Sequence, residues 1–406
     1  MKVLLVIAWR NIWRHPSRSG VLLAAVVVGL WAGVIAVGAM NGMTRQRIDY
    51  LIESEIAHVQ IHNPEFLAEG QPCLFIENHW EITAKLDREA RIKSHTMRTI
   101  VDGMLRSPIK TSGVRMRGID IRTETETTTF HENIVAGEYL DSETRNAAIV
   151  GQSLARDHNL RIGNRIVLTF EDLNRQLTSA SFNIVGLFES ASADFDRRNL
   201  FLRSDDLNAV LGDRPVYHEI AIMLTDETLA SELVADLNRR FGHIQAQSWR
   251  QLSPELNVLV EIGDLMLFIV TMIIMLALAF GILNTMLMAL FERMREIGML
   301  LSIGMSRKRV FAMILLESLA LTVIGAFLGI FLGWGSILHL GKVGINLERF
   351  AGGIAEIGWD TVIYPFMSPA DYASVAALVV LVTLFASTYP ACKAIRINPL
   401  DAAKDT

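Results

Sequence analysis

The stretch ERMREIGMLLSIGMSRKRV, residues 292–310, lies between two long apolar segments at residues 265–291 and 318–338. It carries five basic residues, two acidic residues and two glycines. A short charged segment between two apolar segments is typical of a loop at a membrane surface that joins two spanning helices. This interpretation depends on how apolar residues and charges are distributed over the rest of the chain.

The apolar residues are unevenly distributed along the 406 residues, of which 51% are hydrophobic. They gather in four runs, at residues 21–40, 265–291, 318–338 and 373–392. The first run has 20 uncharged residues, and a helix of that length spans about 30 Å, the thickness of a bilayer core. A signal peptide is the alternative for this run, but its apolar region would be shorter and no clear cleavage site follows Met40. The sequence therefore predicts four transmembrane helices.

The charge distribution predicts the orientation of these helices. Residues 1–20, 292–309 and 393–406 together carry 12 basic and 4 acidic residues, whereas the remainder carries 26 basic and 39 acidic residues. Because basic loops near the ends of spans remain in the cytoplasm, both termini and the 292–309 loop are predicted to be cytoplasmic. Residues 45–255 then lie outside.

The segments between the spans complete the predicted organisation. Trp9, Ile12 and Trp13 recur at helical spacing beside Arg10 and Arg14, which is typical of an amphipathic helix on a bilayer surface. The predicted order is an elbow helix at 1–18, the first span at 19–44, an extracytoplasmic domain with helical stalks at 45–255, a stalk and second span at 256–291, a cytoplasmic loop at 292–309, the third span at 310–340, an irregular outer loop at 341–371, the fourth span at 372–392 and a cytoplasmic tail at 393–406.

The extracytoplasmic domain has mixed α and β signals. Strands are predicted at residues 58–62, 161–170, 181–188, 218–224 and 244–248, and residues 147–160 read as a short strand followed by a helix. Residues 227–241 form an amphipathic helix with Leu229, Leu233, Val234 and Leu237 on one face. The predicted fold is therefore an α-helical membrane protein with four transmembrane helices and an α+β domain between the first two.

Several chemistries have no motif in these 406 residues. There is no G-x-x-x-x-G-K-[ST] phosphate-binding loop. His58 and His62 are four residues apart but fall in a predicted strand, so a metal site is not predicted there. Glu317 borders the third apolar run, and an interfacial structural role is favoured over proton transport. We predict no catalytic residue, no metal, no cofactor in this chain and no nucleic-acid partner.

Glycines recur four residues apart within the spans, at positions 29 and 33, 38 and 42, and 325, 329 and 333. This spacing permits close approach of two helices. The sequence leaves two interpretations open, which are packing within the chain and a seam between two copies.

Three cytoplasmic stretches carry a resemblance to a known family. ERMREIGMLLSIGMSRKRVFAMILLESLAL, from residue 292, resembles the loop between the second and third spans of the FtsX/MacB-like (type VII) ABC permeases. AWRNIWRHPSRS at 8–19 resembles the family's N-terminal elbow, and YPACKAIRINPLDAAK at 389–404 its closing motif. The resemblance implies that the loop couples to an ATPase through Glu292, Arg293, Arg295, Glu296, Ile297, Gly298, Leu301, Ile303 and Gly304.

The resemblance also implies partners and a location. A non-catalytic permease of this family works with two copies of a separate cytoplasmic ABC ATPase, which binds ATP and Mg²⁺, and with a second permease copy or a paralogue. Its location is the bacterial inner membrane. The extracytoplasmic domain is expected to resemble the MacB periplasmic core.

The branch of the family bears on the substrate. GVRMRGID at 113–120, AAIVGQSLARDHNLRIGNRIVL at 147–168 and NIVGLFESASADFD at 183–196 resemble the lipoprotein-releasing LolC/LolE branch. That branch implies a lipoprotein substrate and a periplasmic acceptor chaperone, whereas an efflux permease with a periplasmic adaptor and an ATPase-driven signal transducer remain alternatives. An apolar cavity for acyl chains is expected at Met40, Met43, Leu256, Leu259, Met266 and Leu267, with plain span packing as the alternative.

Overall fold

The computed structural model describes residues 16–107, 109–190, 192–347 and 362–395, without the side chains of residues 16–18, 254–257, 259 and 260. The predicted elbow up to residue 15 and the tail from residue 396 lie outside this range. The described residues divide into two units, a helical unit with residues 16–46, 259–347 and 362–395 and a mixed α/β unit with residues 47–258.

Four helices of the described chain are long and apolar enough to cross a membrane. They are α1 (Pro16–Leu51), α10 (Pro254–Glu292), α12 (Arg307–Val343) and α13 (Pro369–Ala394). The short helix α11 (Met294–Ser302) connects α10 to α12. The outer loop is less irregular than we predicted, because β11 (Ile345–Asn346) pairs antiparallel with β12 (Val362–Ile363). The α/β unit lies in the sequence between the first and second of these helices.

The glycines of α12 pack against α1 within the same chain. A Cβ atom built on Gly329 would lie 3.0 Å from Leu30 Cβ and 3.1 Å from the carbonyl oxygen of Val27. Gly325 and Gly333 face α1 in the same way, against side chains one helical turn before and after Leu30. Close approach of these two helices therefore requires glycine, which decides the open question in favour of packing within the chain for this set.

We predict that Gly329→Leu lowers the thermal unfolding temperature of the detergent-solubilised protein by several degrees, because overpacking costs about 1–3 kcal/mol. Gly335→Leu is the matched control in the same helix, since no described atom lies within 4 Å of its Cβ position. Equal unfolding temperatures for the two variants would contradict the packing.

The α/β unit contains ten strands in one sheet. The helices of this unit are α2 (Phe66–Glu69), α3 (His79–Leu86), α4 (Ile121–Thr127), α5 (Gln152–His158), α6 (Ala193–Arg198), α7 (Ser204–Leu211), α8 (Ala230–Arg240) and α9 (Trp249–Leu252). The strands are β1 (Val59–His62), β2 (Ile92–Arg106), β3 (Thr111–Ile119), β4 (Ile134–Gly137), β5 (Ala147–Gly151), β6 (Arg165–Glu171), β7 (Leu177–Phe188), β8 (Asn199–Arg203), β9 (Glu219–Leu224) and β10 (Gln245–Ser248).

The strand order is β10-β1-β9-β2-β3-β8-β5-β7-β4, and β6 pairs with both β2 and β7. The β3–β8 and β5–β7 pairs are parallel, whereas the other pairs are antiparallel. The long strand β2 is central because its first half pairs with β9 and its second half with β3. Separate apolar cores on the two halves of the sheet give this unit two lobes.

Most predicted elements of this unit are present, with two corrections. The strand predicted at 161–170 begins only at Arg165, because residues 161–164 form a turn in which Gly163 has a φ of +84°. The strand predicted at 181–188 begins earlier, at Leu177. The β2–β3 hairpin at 92–119 was not predicted, although it is the centre of the sheet.

Candidate coupling site

The loop between α10 and α12 is a short helix with well-formed ends. At its C-terminus, Met305 N–H donates to the Leu300 carbonyl at 3.0 Å and Gly304 N–H donates to the Leu301 carbonyl at 3.2 Å. These two bonds form a Schellman motif, which needs a left-handed residue, and Gly304 supplies it with a φ of +99°. α11 therefore ends at Ser302, before the left-handed Gly304, and α12 begins at Arg307.

An arginine holds α11 against α12. The Arg293 guanidinium donates through Nη1 to both carboxylate oxygens of Glu317 on α12, at 3.1 and 2.9 Å. Its Nε donates to Glu296 on α11 at 3.1 Å. The side chains of Arg293 and Glu317 are 12% and 8% exposed, so water screens this pair little. Glu317 therefore has a structural partner, in agreement with the interfacial role predicted for it.

The inner face of α11 is apolar and buried. Ile297 and Gly298 are buried, and Leu301 packs at the edge of the same apolar cluster. A small cavity of about 30 Å³ lies beneath this face, between the ends of α1, α10 and α12, and Ser19 is among its lining residues. Ile297, Gly298 and Leu301 thus pack the helix against the spans and do not form a surface for a partner.

The outer face of α11 is the part that a partner can reach. Ile303 is 84% exposed and Met299 is 57% exposed, and Glu292, Arg295 and Gly304 are exposed beside them. Two large apolar side chains ringed by charges match the anatomy of a small docking patch. Of the predicted coupling residues, Arg293 and Glu296 hold the helix, whereas Arg295 and Ile303 face outward. The sequence reasoning missed Met299, although its position two residues after the buried Ile297 places it on the opposite face.

We predict that Ile303→Asp reduces binding of the partner ATPase by at least about tenfold, because burial of an Ile side chain is worth about 1.5–3 kcal/mol. The unfolding temperature of the Ile303→Asp permease should not change, because Ile303 makes little contact within the chain. The measurement is ATPase titration onto the permease in nanodiscs. The control is Lys308→Asp, at an exposed position of the next helix, which tests whether added negative charge alone weakens binding. Equal losses of binding for the two variants would refute Ile303 as a docking residue.

A second junction lies within the α/β unit, where the turn that follows α1 meets the sheet. The helix ends in a π-helical turn at Ile52–Ile56, closed by a 2.7 Å bond from Ala57 N–H to the Ile52 carbonyl. Ala57 has a φ of 63° and a ψ of 176°, which a residue with a side chain rarely adopts. Such strain persists only where surrounding contacts fix the backbone.

Three donors from the α/β unit fix this turn. The carbonyl groups at the end of a helix lack partners within the helix. Here Thr129 N–H donates to Glu53 at 2.9 Å, Arg98 Nη1 to Glu55 at 2.9 Å and Gln60 Nε2 to Ile56 at 2.7 Å. The end of the helix is therefore bonded to three separate segments of this unit.

Arg98 is the centre of this junction. It is 1% exposed and also donates to Glu219 on β9 at 2.6 Å and to Glu124 on α4 at 2.6 Å. Burial alone would lower the pKa of the Arg98 guanidinium, but the two carboxylates raise it above its ordinary value. Burial would likewise raise the pKa of Glu219, but Arg98 and Arg117 lower it. The cluster is thus charged and internally compensated.

We predict that Arg98→Met destabilises the α/β unit by about 3–5 kcal/mol, because it leaves two buried carboxylates without their cation. Arg115→Met removes an exposed ion pair with Asp102 on the same sheet and should cost less than about 1 kcal/mol. Both losses are measured by urea unfolding, followed through the fluorescence of Trp249 after the other tryptophans of the chain have been replaced by Phe. Trp249 is buried beside Leu51 and Ile52. Equal losses of stability in the two variants would contradict the role of Arg98 at the junction.

The residues predicted to form a substrate cavity lie on α1 and α10. Met40 and Met43 are half-buried, Leu267 packs against the helical core and Met266 is 47% exposed. The side chains of Leu256 and Leu259 lie outside the described residues. The outer parts of the two helices approach each other, since a Cβ atom on Gly263 would lie 3.1 Å from Thr44 Oγ1. A shared cavity for these residues stays a prediction.

The His58 and His62 side chains make hydrogen bonds within the sheet. His58 Nδ1 accepts from Leu224 N–H at 3.0 Å, and His62 Nδ1 lies 3.0 Å from the His218 carbonyl. Burial lowers the pKa of the His218 imidazole to about 4. Its Nδ1 accepts from Ile100 N–H, so these histidines are part of the domain core.

The described residues thus contain four helices that are long and apolar enough to cross a membrane, an α/β domain between the first two, and a short helix with an exposed apolar end between the second and the third. The profile of the MacB-like periplasmic core domain matches residues 19–240, and that of the FtsX-like permease C-terminal region matches residues 268–399. The chain belongs to the FtsX/MacB-like ABC permease family. It is therefore an inner-membrane protein with a periplasmic α/β domain, and its family implies a cytoplasmic ATPase partner.

Individual relatives differ in how much of the chain they cover. The lipoprotein-releasing system transmembrane protein LolC of Neisseria meningitidis is 21% identical over 406 aligned residues, covering 95% of this chain and 93% of that protein. The macrolide export ATP-binding/permease protein MacB of Rhodopirellula baltica is 36% identical over 124 residues, which cover 30% of this chain and only 16% of that protein. The crystal structure of the periplasmic region of MacB from Actinobacillus actinomycetemcomitans is similar over 52% of this chain and 98% of that one, with 14% identity and a TM-score of 0.36.

Proposed function

We propose that this permease couples ATP hydrolysis by a separate cytoplasmic ATPase to movement of its periplasmic domain, and that it thereby extracts lipoproteins from the inner membrane for release. The observation that supports lipoproteins as the substrate class is the similarity to a lipoprotein-releasing LolC along 93% of that protein's length. It spans both the helical and the periplasmic regions, whereas the more identical MacB segment is 124 residues long.

The coupling step rests on the geometry of α11. Its exposed Met299 and Ile303 provide an apolar patch for an ATPase groove, and the Arg293–Glu317 pair transfers a push on that patch to α12. With four spans and the periplasmic domain between the first two, both termini and α11 lie in the cytoplasm. Two ATPase copies and a second permease, identical or paralogous, complete the transporter, and ATP and Mg²⁺ bind to the ATPase.

The proposed receptacle for acyl chains is the outer half of α10. In the most apolar stretch of α10, 22% of the residues are buried, compared with 33–50% in the corresponding stretches of the other three spans. This helix therefore exposes more apolar surface than the others do. Val258, Leu265, Met266 and Ile269 are exposed there. Flexible methionine side chains adapt to apolar ligands of irregular shape, and a periplasmic acceptor chaperone would take the extracted lipoprotein.

Depletion of this protein in its native host tests the proposal. Lipoproteins that normally leave the inner membrane should accumulate there at least several-fold, as measured by membrane fractionation and immunoblotting. A wild-type copy should restore sorting, whereas an Ile303→Asp copy should not. Normal sorting after depletion would contradict the lipoprotein assignment but not the family.

Export of a small molecule or peptide with a periplasmic adaptor is the second candidate. It is favoured by the 36% identity of the MacB segment and by a pyoverdine exporter of Pseudomonas savastanoi that is 26% identical over 90% of this chain, although the match covers 57% of that protein. Increased sensitivity to toxic compounds with normal lipoprotein sorting would favour it. The reverse result would favour lipoprotein release.

A further inference from the structure

The first half of β2 has a free edge. Its ladder with β3 ends at the pair Arg98–Ile119, because the chain turns away after Ile119 and enters α4 at Ile121. From Met97 back to Ile92, β2 pairs only with β9 among the strands that the structure describes. The central strand of the sheet therefore has a strand on one side only over this segment.

The phase of the backbone identifies the groups at this edge. His218 N–H donates to the Arg98 carbonyl at 2.9 Å, so the backbone groups of Arg98 point toward β9. Successive residues of a strand direct their N–H and C=O groups to alternate sides. The backbone groups of His95 and Met97 consequently point away from β9. At the last ladder pair, Arg98–Ile119, this phase directs the Met97 carbonyl to Asp120 N–H, so the N–H groups of His95 and Met97 and the His95 carbonyl face the space that β3 has left.

A cleft of about 650 Å³ occupies that space. Residues 93–97 of β2 form one wall, residues 119–123 and Glu126 a second, and Arg203, Ser204 and Asp205 a third. The volume lies within the range of about 300–1,000 Å³ that ligand pockets occupy. The cleft thus lies beside the free edge of β2, where β3 ends at Ile119 and its parallel neighbour β8 ends at Arg203.

The polar groups of the cleft are incompletely partnered. His95 Nε2 is 2.8 Å from Asp87, but its Nδ1 is buried without a hydrogen-bond partner, as is Ser94 Oγ. The charges largely balance in pairs, since Arg122 lies 3.7 Å from Glu126 and Arg203 lies 3.8 Å from Asp205. A cleft of this kind suits an uncharged polar occupant better than an anion or a cation.

The open edge is protected at one end. The pairing register of β2 with β9 shifts between Ile92 and Ser94, which places Lys93 at a bulge. A bulge and a lysine are common devices that prevent indiscriminate edge pairing. Pairing is therefore restricted to the short segment around His95 and Met97 that the cleft exposes.

We propose that this cleft, which we term the β2 slot, binds a short extended and uncharged segment of a partner protein, which adds as a strand to the edge of β2 at His95–Met97. A polypeptide is the ligand because its alternating N–H and C=O groups match those of an unpaired edge. Hydroxyl side chains such as Thr and Ser suit the slot, which presents Thr83, Thr123, Ser142 and Ser204. The site is independent of the transported substrate.

The test uses the full chain in nanodiscs with Cys73 and Cys392 replaced by Ser and with Glu126→Cys at the rim of the slot. The peptide Cys-Gly-Gly-Thr-Val-Thr-Val-Thr-amide is attached to this cysteine through a disulfide, which gives an effective concentration in the millimolar range. Deuterium exchange of residues 92–97 should slow about tenfold, because outward amides gain acceptors. A peptide with methylated amides in its Thr-Val segment is the control and should give no protection.

A pair of variants separates strand pairing from contact with the His95 side chain. His95→Pro removes both the imidazole and the outward N–H group, which an edge strand tolerates, and should abolish most of the peptide's protection, whereas His95→Ala removes only the imidazole and should retain it. Continued slow exchange of residues 219–224 on β9 shows that the sheet is intact. Unchanged exchange of residues 92–97 with the tethered peptide, or equal protection by the methylated peptide, would overturn the proposal.

Discussion

The structure depends most on the buried ion pair between Arg293 and Glu317. A pair at 2.9 Å with 12% and 8% exposure acts in a medium where charges interact strongly and where removal of one partner is costly. It fixes α11 to the first turns of α12 while Glu296 holds the same guanidinium from the α11 side. In the proposed function, this ion pair would transfer movement of the exposed tip to α12.

The outer end of α1 has a comparable attachment. The π-helical turn at Ile52–Ile56 follows α1, and its carbonyl groups accept hydrogen bonds from Thr129, Arg98 and Gln60 of the same periplasmic unit. Arg98 in addition bonds to two acids on different elements. Each of the two units therefore contains a largely buried arginine shared between two acids.

Sequence reasoning succeeded where the physical signal is local. Apolar runs identified the four spans, and the match at Glu292–Gly304 identified the family. The same reasoning missed the β2–β3 hairpin, since polar residues such as Lys93, Ser94 and His95 interrupt the alternation of apolar and polar residues that predicts a strand. It also could not divide the coupling residues into those that seat α11 and those that face outward, because the Arg293–Glu317 contact joins positions 24 residues apart.

In the proposed function, the tip of α11 lies in the cytoplasm and contacts an ATPase. A photo-crosslinking amino acid placed at Ile303 in living cells of the native host tests it most directly, with the adduct identified by mass spectrometry. The account predicts an adduct with a protein that carries a G-x-x-x-x-G-K-[ST] phosphate-binding loop. An adduct with a periplasmic protein, or an adduct formed only with lipid, would contradict the account.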